Sequence, residues 1–287
     1  MKNILLPTDF SENSWNAIRY AMNLFKNDVC TFYLLNTYTP VIYHVEYVLG
    51  YPAQFGIEDT IRNTSQQQLE TLKQRIYETF GKNPNHDIQE MARFDFLISG
   101  IKDFMDTHTI HMIVMGTTGA TGAKEVLFGS HTVQVINNVK CPVLAIPEGF
   151  EYKTPTAILL PTDYGITFQK DQFSSLLALA KAQNSKIEIL HVLTSVLSEV
   201  QLKNKAALQQ LLSQENYEIH EVQGDHVMDG IINFQDKNAI DMLVMINNKK
   251  SFFENILFKS TVNQIGFHLT VPFLVMPSQL KTQTITT

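Results

Sequence analysis

The stretch Met115-Gly-Thr-Thr-Gly-Ala-Thr-Gly-Ala-Lys-Glu-Val-Leu-Phe-Gly-Ser130 joins a short apolar run, His111 to Met115, to a segment with apolar residues at helical spacing, Val133, Val135 and Ile136. Apolar runs bounded by glycine read as buried strands, and the i, i+3 pattern that follows reads as a helix. The glycines therefore connect a strand end to a helix start. Gly116 and Gly119 are expected to supply positive φ and close backbone approach, and Gly129-Ser130 to open the helix with unpaired amides and a hydroxyl. Such an end carries partial positive charge and suits a phosphate. A bare glycine loop is also compatible with a tight surface turn; the Gly129-Ser130 pair at the helix start favours the phosphate. Two other phosphate loops are excluded by inspection, because neither Gly-x4-Gly-Lys-Ser/Thr nor Gly-x-Gly-x2-Gly after an early strand occurs.

The spacing Gly116-x2-Gly119-x9-Gly129-Ser130, followed by Cys141-Pro-Val-Leu-Ala-Ile146, resembles the nucleotide-binding signature of the universal stress protein family and the strand after it. The resemblance implies α/β architecture: two tandem Rossmann-like (adenine nucleotide alpha hydrolase-like) domains, each a five-stranded parallel sheet of order 3-2-1-4-5 flanked by helices. It also implies a ligand, ATP or a related adenine nucleotide, with or without Mg²⁺. Pro7, Thr8, Asp9, Thr37, Met115, Gly116, Gly119, Gly129, Ser130 and His131 match the positions that surround it. Among these, the family's aspartate corresponds to Asp9 and meets the ribose or base, the backbone at Thr37 meets the base, and the amide at His131 meets phosphate.

Self-similarity along the chain gives the domain organisation. Asn3-Ile-Leu-Leu-Pro-Thr-Asp9 recurs as Ala157-Ile-Leu-Leu-Pro-Thr-Asp163, Ile110 to Met115 as Ile240 to Met245, and Val126-Leu-Phe-Gly-Ser130 as Ile256-Leu-Phe-Lys-Ser260. Two copies of one domain are expected, residues 1–149 and 155–280, joined near Gly149 to Pro155. In the first copy, Ile4 to Leu6 reads as a strand ended by Pro7. Ser11 caps a helix with Trp15, Ile18, Met22 and Phe25 inward, and Thr31 to Leu35 is a second strand. A long helix runs from about Glu58 to Phe80 and stops at Gly81. Ile88 to Ala92, a helix from Phe96 to Asp106, the glycine-loop strand, its helix and Val143 to Ile146 complete the unit. Strands alternating with amphipathic helices imply parallel pairing with both faces covered.

In a sheet of this order, ligands sit at the carboxyl ends of the strands where the winding reverses, between the first and fourth. Asp9 and Gly116 end those strands. A carboxylate repels phosphate, so Asp9 is expected to face the ribose or adenine end, the alternative being a helix-capping aspartate. The second copy keeps the scaffold and loses the loop: Gly116 becomes Ile246, Gly119 becomes Lys249 and Gly129 becomes Lys259, with Ser260 retained. A β-branched residue and two long side chains close that site, and Asp163 is expected to cap the helix after it. Lys249, Lys250 and Lys259 read as a solvated basic edge or an anion site of another kind. The second half is therefore expected to serve as a structural partner, the two halves forming an intramolecular pseudo-dimer through Val143 to Ile146 and Phe273 to Met276, with a further homodimer open.

A first-copy insertion of roughly twenty residues, from about Tyr38 to Asp59, carries Tyr38, Tyr43, Tyr47, Tyr51 and Phe55 and reads as a lid, a partner surface or a flap over core. The 287 residues carry a formal net charge of −6 with both signs scattered, which gives no footprint for nucleic acid or an anionic membrane. Two cysteines, Cys30 and Cys141, are too few for a disulfide framework, and no apolar run approaches a membrane span, so a cytoplasmic protein is expected. No metal site is expected from the nine histidines, and no nucleophile motif is present. Lys124 is placed to touch a γ-phosphate or to point into water. Without a dedicated base, any ATP hydrolysis is expected to be slow, leaving a nucleotide-dependent regulator or interaction module for an unknown protein partner, against a slow hydrolase or a nucleotide-free scaffold.

Overall fold

The computed structural model describes residues 1–39, 57–117, 129–248 and 270–277. The first half runs β1 (Lys2–Pro7), α1 (Glu12–Leu24), β2 (Cys30–Tyr38), α2 (Ile57–Phe80), β3 (His86–Phe94), α3 (Leu97–Thr107), β4 (Met112–Gly116), α4 (Ser130–Asn138) and β5 (Val143–Ile146). The second runs β6 (Ala157–Pro161), α5 (Lys170–Gln183), β7 (Lys186–Leu193), α6 (Glu199–Leu211), β8 (Tyr217–Gln223), α7 (Val227–Lys237), β9 (Met242–Asn247) and β10 (Phe273–Pro277).

Local sequence accounts for the element ends. Ser11 caps α1 by accepting from the Ser14 amide, as its position before the apolar stripe requires. Gly81 ends α2 with φ +73, a conformation that suits glycine, and its amide closes on Tyr77 O at 2.9 Å. Ser198 and Gln201 form a reciprocal capping box at the start of α6. The strands are longer than their sequence patterns suggest: β2 extends to Tyr38 and β3 spans His86 to Phe94, because the ladder Cys30↔His86 through Tyr38↔Phe94 continues past the apolar residues.

The ten strands among the described residues form one sheet, in the order β3-β2-β1-β4-β5-β10-β9-β6-β7-β8. Each half keeps the order 3-2-1-4-5, and within each half the pairs are parallel. The halves meet where β5 pairs antiparallel with β10: Ala145↔Phe273, Leu144↔Leu274 and Val143↔Val275. Aligning Met115 with Met245 makes Leu144 and Leu274 equivalent, so this pair lies on the pseudo-twofold and its neighbours are exchanged by it. Joining the two fifth strands removes an edge from each half. The expected contact through these two strands is present, as ladder hydrogen bonding within one sheet.

One apolar core lies on each face, and both cores cross the seam. On one face Ile4, Ile18, Phe32 and Leu69 share a cluster with Ile158, Phe173, Ile189 and Leu208, burying α1, α2, α5 and α6. On the other, Ile101, Val135 and Ile136 of α3 and α4 share a cluster with Ile231, Leu243, Met245 and Phe273. Among the described residues, no helix is long and apolar enough to cross a membrane. Cys30 and Cys141 are free and buried, and burial pushes both thiols up to about 12, so they stay protonated near neutrality.

Candidate functional site

β1 and β4 are neighbours, paired at Ile4↔Met112 and Leu5↔Ile113, so their carboxyl ends lie side by side at the point where the chain reverses its winding. Past the end of β1, Thr8 is buried: its amide bonds Leu35 O at 2.9 Å, and its hydroxyl accepts from the Phe10 amide at 3.0 Å and lies 3.0 Å from Ser14 Oγ. Phe10 takes φ +63, which turns the chain sharply into α1. Asp9 is exposed, and its Oδ1 accepts from the Ser11 amide at 3.1 Å and the Ser11 hydroxyl at 2.6 Å. The carboxylate is thus steered by the same serine that caps α1.

Gly116 is the last residue of β4, and it does not use the freedom expected of it. Positive φ among the described glycines is confined to Gly81 and Gly149, and Gly129 has φ −59 with ψ 152. The lack of a side chain is what matters at Gly116, since a Cβ there would fall 2.5 Å from Asn13 Nδ2 and 2.7 Å from its Cγ. Absence of that atom lets the first turn of α1 close over β4. The strand end is then tied to α4: Thr132 is buried and donates its hydroxyl to Gly116 O at 2.9 Å, and the Thr117 amide bonds Ile146 O at 3.0 Å.

α4 begins at Ser130 with Gly129 as its N-cap, and among the described residues no side chain caps it. The first amides of a helix have no carbonyl of their own helix to serve them. Ser130 and His131 are exposed in this turn. The chain therefore presents, around one strand pair, an exposed carboxylate on one side and an uncapped helix start with a hydroxyl on the other. Such a donor set suits an anionic group on α4 and a hydroxyl or amine on Asp9.

Of the residues picked out by sequence, Pro7, Thr8, Asp9, Met115, Gly116, Gly129, Ser130 and His131 cluster at this end of β1 and β4. Thr37 lies on neighbouring β2, and its side chain faces α3, where a Cβ on Gly100 would come 2.8 Å from Thr37 Cγ2. Gly119, Lys124, Lys249, Lys250, Lys259, Ser260 and nearly all of the insertion from Tyr38 to Asp59 lie outside the described residues. Sequence reading missed Asn13 and Thr132, ordinary polar residues whose roles arise from contacts with the end of β4, far along the chain for Asn13 and across the loop for Thr132.

The second half repeats the turn with different parts. Thr162 Oγ1 accepts from the Tyr164 amide at 3.0 Å, Tyr164 has φ +54, and Asp163 Oδ1 accepts from the Gly165 amide at 2.8 Å. Asp163 does not cap the next helix, contrary to expectation: α5 starts only at Lys170, with Gln169 at the N-cap and no side-chain cap bond. The turn of helix that carries Asn13 in the first half is missing there, which leaves room for Ile246 at the position of Gly116. Buried Asn36, which donates to Thr8 O at 2.8 Å and accepts from Ser65 Oγ at 2.7 Å, is replaced by buried His191, whose Nδ1 lies 2.8 Å from Thr162 O and must carry the proton.

A three-residue group with metal-ligand chemistry, Glu188, Glu218 and His220, forms at the far edge of the second half, where strand pairing brings together residues distant in sequence. Lys186 Nζ already stands between the carboxylates, 3.0 Å from Glu188 Oε1 and 2.5 Å from Glu218 Oε2, and His220 Nε2 bonds Glu188 Oε2 at 2.7 Å. With the lysine in place this group is an ion-pair network, and it holds the Lys186 pKa above its ordinary value through hydrogen bonds to Glu218 and Glu188.

Comparison with known proteins agrees with this architecture. The model of the universal stress protein family matches the chain twice, over residues 1–147 and 156–277. Universal stress protein MJ0531 of Methanocaldococcus jannaschii is 29% identical over 148 residues, 50% of this chain and 81% of that protein. Universal stress protein Slr1230 of Synechocystis sp. is 23% identical over 224 residues, covering 76% of this chain and 75% of the relative. Among solved structures, a universal stress protein from Archaeoglobus fulgidus superposes over 96% of both chains with a TM-score of 0.66 at 19% identity, which speaks to the fold. The chain belongs to the universal stress protein family, as two such domains in tandem.

Proposed function

We propose that the first half binds one adenine nucleotide, ATP or a close relative, and that its nucleotide state governs contacts with a protein partner in a stress response. The observation that carries this reading is the juxtaposition of exposed Asp9 with the uncapped start of α4 across the β1 and β4 ends. Phosphates would lie on the amides of Ser130 and His131 with the Ser130 hydroxyl, and the ribose or base would donate to the Asp9 carboxylate and meet the backbone at the β2 end near Thr37. Any Mg²⁺ would arrive on the triphosphate. No general base is assigned, so binding rather than turnover is the function put forward.

The second half is proposed not to bind, because Ile246 stands where Gly116 stands in the first. Calorimetric titration of the full chain with ATP, ADP, AMP and cyclic AMP tests the reading; the last belongs in the panel because a universal stress protein has been crystallised with it. Asp9→Ala is expected to weaken ATP binding about tenfold, the scale of one charge-assisted hydrogen bond lost. No binding by any of the four, or binding indifferent to Asp9→Ala and Gly129→Lys together, would remove the proposal. Burst-free turnover that disappears in both variants would instead favour a slow hydrolase at the same crevice.

A further inference from the structure

α4 has 9 residues, too few to hold a helix unaided, so its place depends on what it packs against. Around it are α3 and β5 of its own half, and the core that buries its inner face runs on into the other half. Val135, Ile136 and Val139 are buried in the cluster that contains Leu243, Met245, Phe273 and Val275 of β9 and β10. The last carbonyls of a helix also need partners from outside it. Val135 O receives the Val139 amide at 3.0 Å, but the residue four past Ile136 is Lys140, which lies beyond the helix end. Ile136 O is served instead by Asn247 Nδ2, at 3.1 Å across the pseudo-twofold.

Asn247 is the last residue of β9 and, on the alignment of Met115 with Met245, the counterpart of Thr117. It therefore stands where the second half's own phosphate loop would begin. That half has Ile246 in place of the cradle glycine, yet its next residue reaches over the seam and fixes the helix whose opposite end, Ser130, faces the first half's crevice. A rigid helix of this length passes a tilt at Ile136 to Ser130, roughly 9 Å away along the axis.

We infer that Asn247 is a positioning residue for the first half's site, so that the half without a cradle sets how well the other half holds an anion. The affinity aspect rests on the nucleotide reading above; the anchoring of α4 does not. Coupling of this kind is reciprocal, so ligand bound at Ser130 also stabilises the end of β9.

Three full-length variants separate shape from hydrogen bonding: Asn247→Asp keeps the shape and loses the donor, Asn247→Leu loses polarity, and Asn247→Gln keeps the donor on a longer stem. Amide hydrogen exchange without ligand and calorimetric titration with ATP are the two readouts, with thermal melting to confirm folding. Asn247→Asp and Asn247→Leu are expected to speed exchange in α4 while leaving α3 unchanged, and to weaken ATP binding about threefold to tenfold. Asn247→Gln should recover part of both. Unchanged α4 exchange in Asn247→Asp overturns the inference, as does faster exchange with unaltered ATP affinity, or a Gln variant no better than Leu. A wild-type chain that fails to bind ATP overturns the nucleotide reading, and exchange then decides the anchoring alone: faster in Asn247→Asp sustains it, unchanged ends it.

Discussion

Gly116 shows how one missing carbon sets the geometry of the crevice. A methyl group there would meet the Asn13 amide at 2.5 Å, so in Gly116→Ala the buried Asn13 side chain has to shift, and with it the packing of the first turn of α1 on β4. Overpacking of this kind costs about 1–3 kcal/mol. Urea unfolding of the alanine variant should show that loss, and ATP titration a weaker site; unchanged stability would mean that Asn13 swings aside freely. The importance of Gly116 was legible in the sequence, but its reason was not. Loop glycines are usually read for their backbone freedom, whereas the crowding here depends on a side chain more than a hundred residues away. The same distance hid Asn247, whose amide reaches Ile136 O, while Thr132, only 16 residues from Gly116, was hidden because its hydroxyl bonds a backbone carbonyl that no side-chain pattern marks. Pro7, Thr8 and Asp9 were readable because the motif recurs at Asp163, and the recurrence marks a turn built twice.

Elements differ between the halves where the sequence pattern is interrupted. α1 starts three residues after Asp9, at Glu12, whereas α5 starts seven after Asp163, at Lys170. The helix periodicity of both was legible, but the delayed start of α5 was not, since Asp163 alone reads as a cap. The connection between halves gives a pH test. Asp241, buried at the start of β9, accepts from the Thr156 amide at 2.9 Å and hydroxyl at 2.7 Å and from the Ala157 amide at 3.0 Å, and pairs with Lys153 at 2.5 Å. Burial alone would raise its pKa, but these bonds to Lys153, Thr156 and Ala157 prevail and hold the carboxyl below its ordinary value. A depressed folded-state value stabilises the fold above the ordinary aspartate range, and that contribution is lost as pH falls through the depressed value. Asp241→Asn should therefore cost about 2 kcal/mol near neutrality, and the gap from wild type in urea midpoints should close as pH falls below the ordinary aspartate range. A gap that stays constant with pH would show that the charge has no part in it.

At the scale of the whole molecule, ten strands and two cores run without a break through the β5 and β10 seam. The repeat and the last-strand contact were legible because two copies of a domain with an apolar fifth strand have one economical way to cover both edges. The register was not legible: that Leu144 and Leu274 face each other on the axis follows from the ladder alone. Shared cores predict one cooperative unfolding transition. Leu274→Asp should lower stability by several kcal/mol, the scale of an uncompensated buried charge, and should shift far-ultraviolet and near-ultraviolet melts of the chain together. Two separated transitions would mean that the halves fold as independent units.

The asymmetry between two copies of one scaffold is the central claim, and the stoichiometry of ATP binding tests it most directly. Calorimetric titration of the full chain should give one site per chain, and Gly129→Lys, which copies the second half's residue into the first, should abolish it while leaving the melting transition in place. Two equal sites, or a site that survives Gly129→Lys, would contradict the assignment of the ligand to the first half.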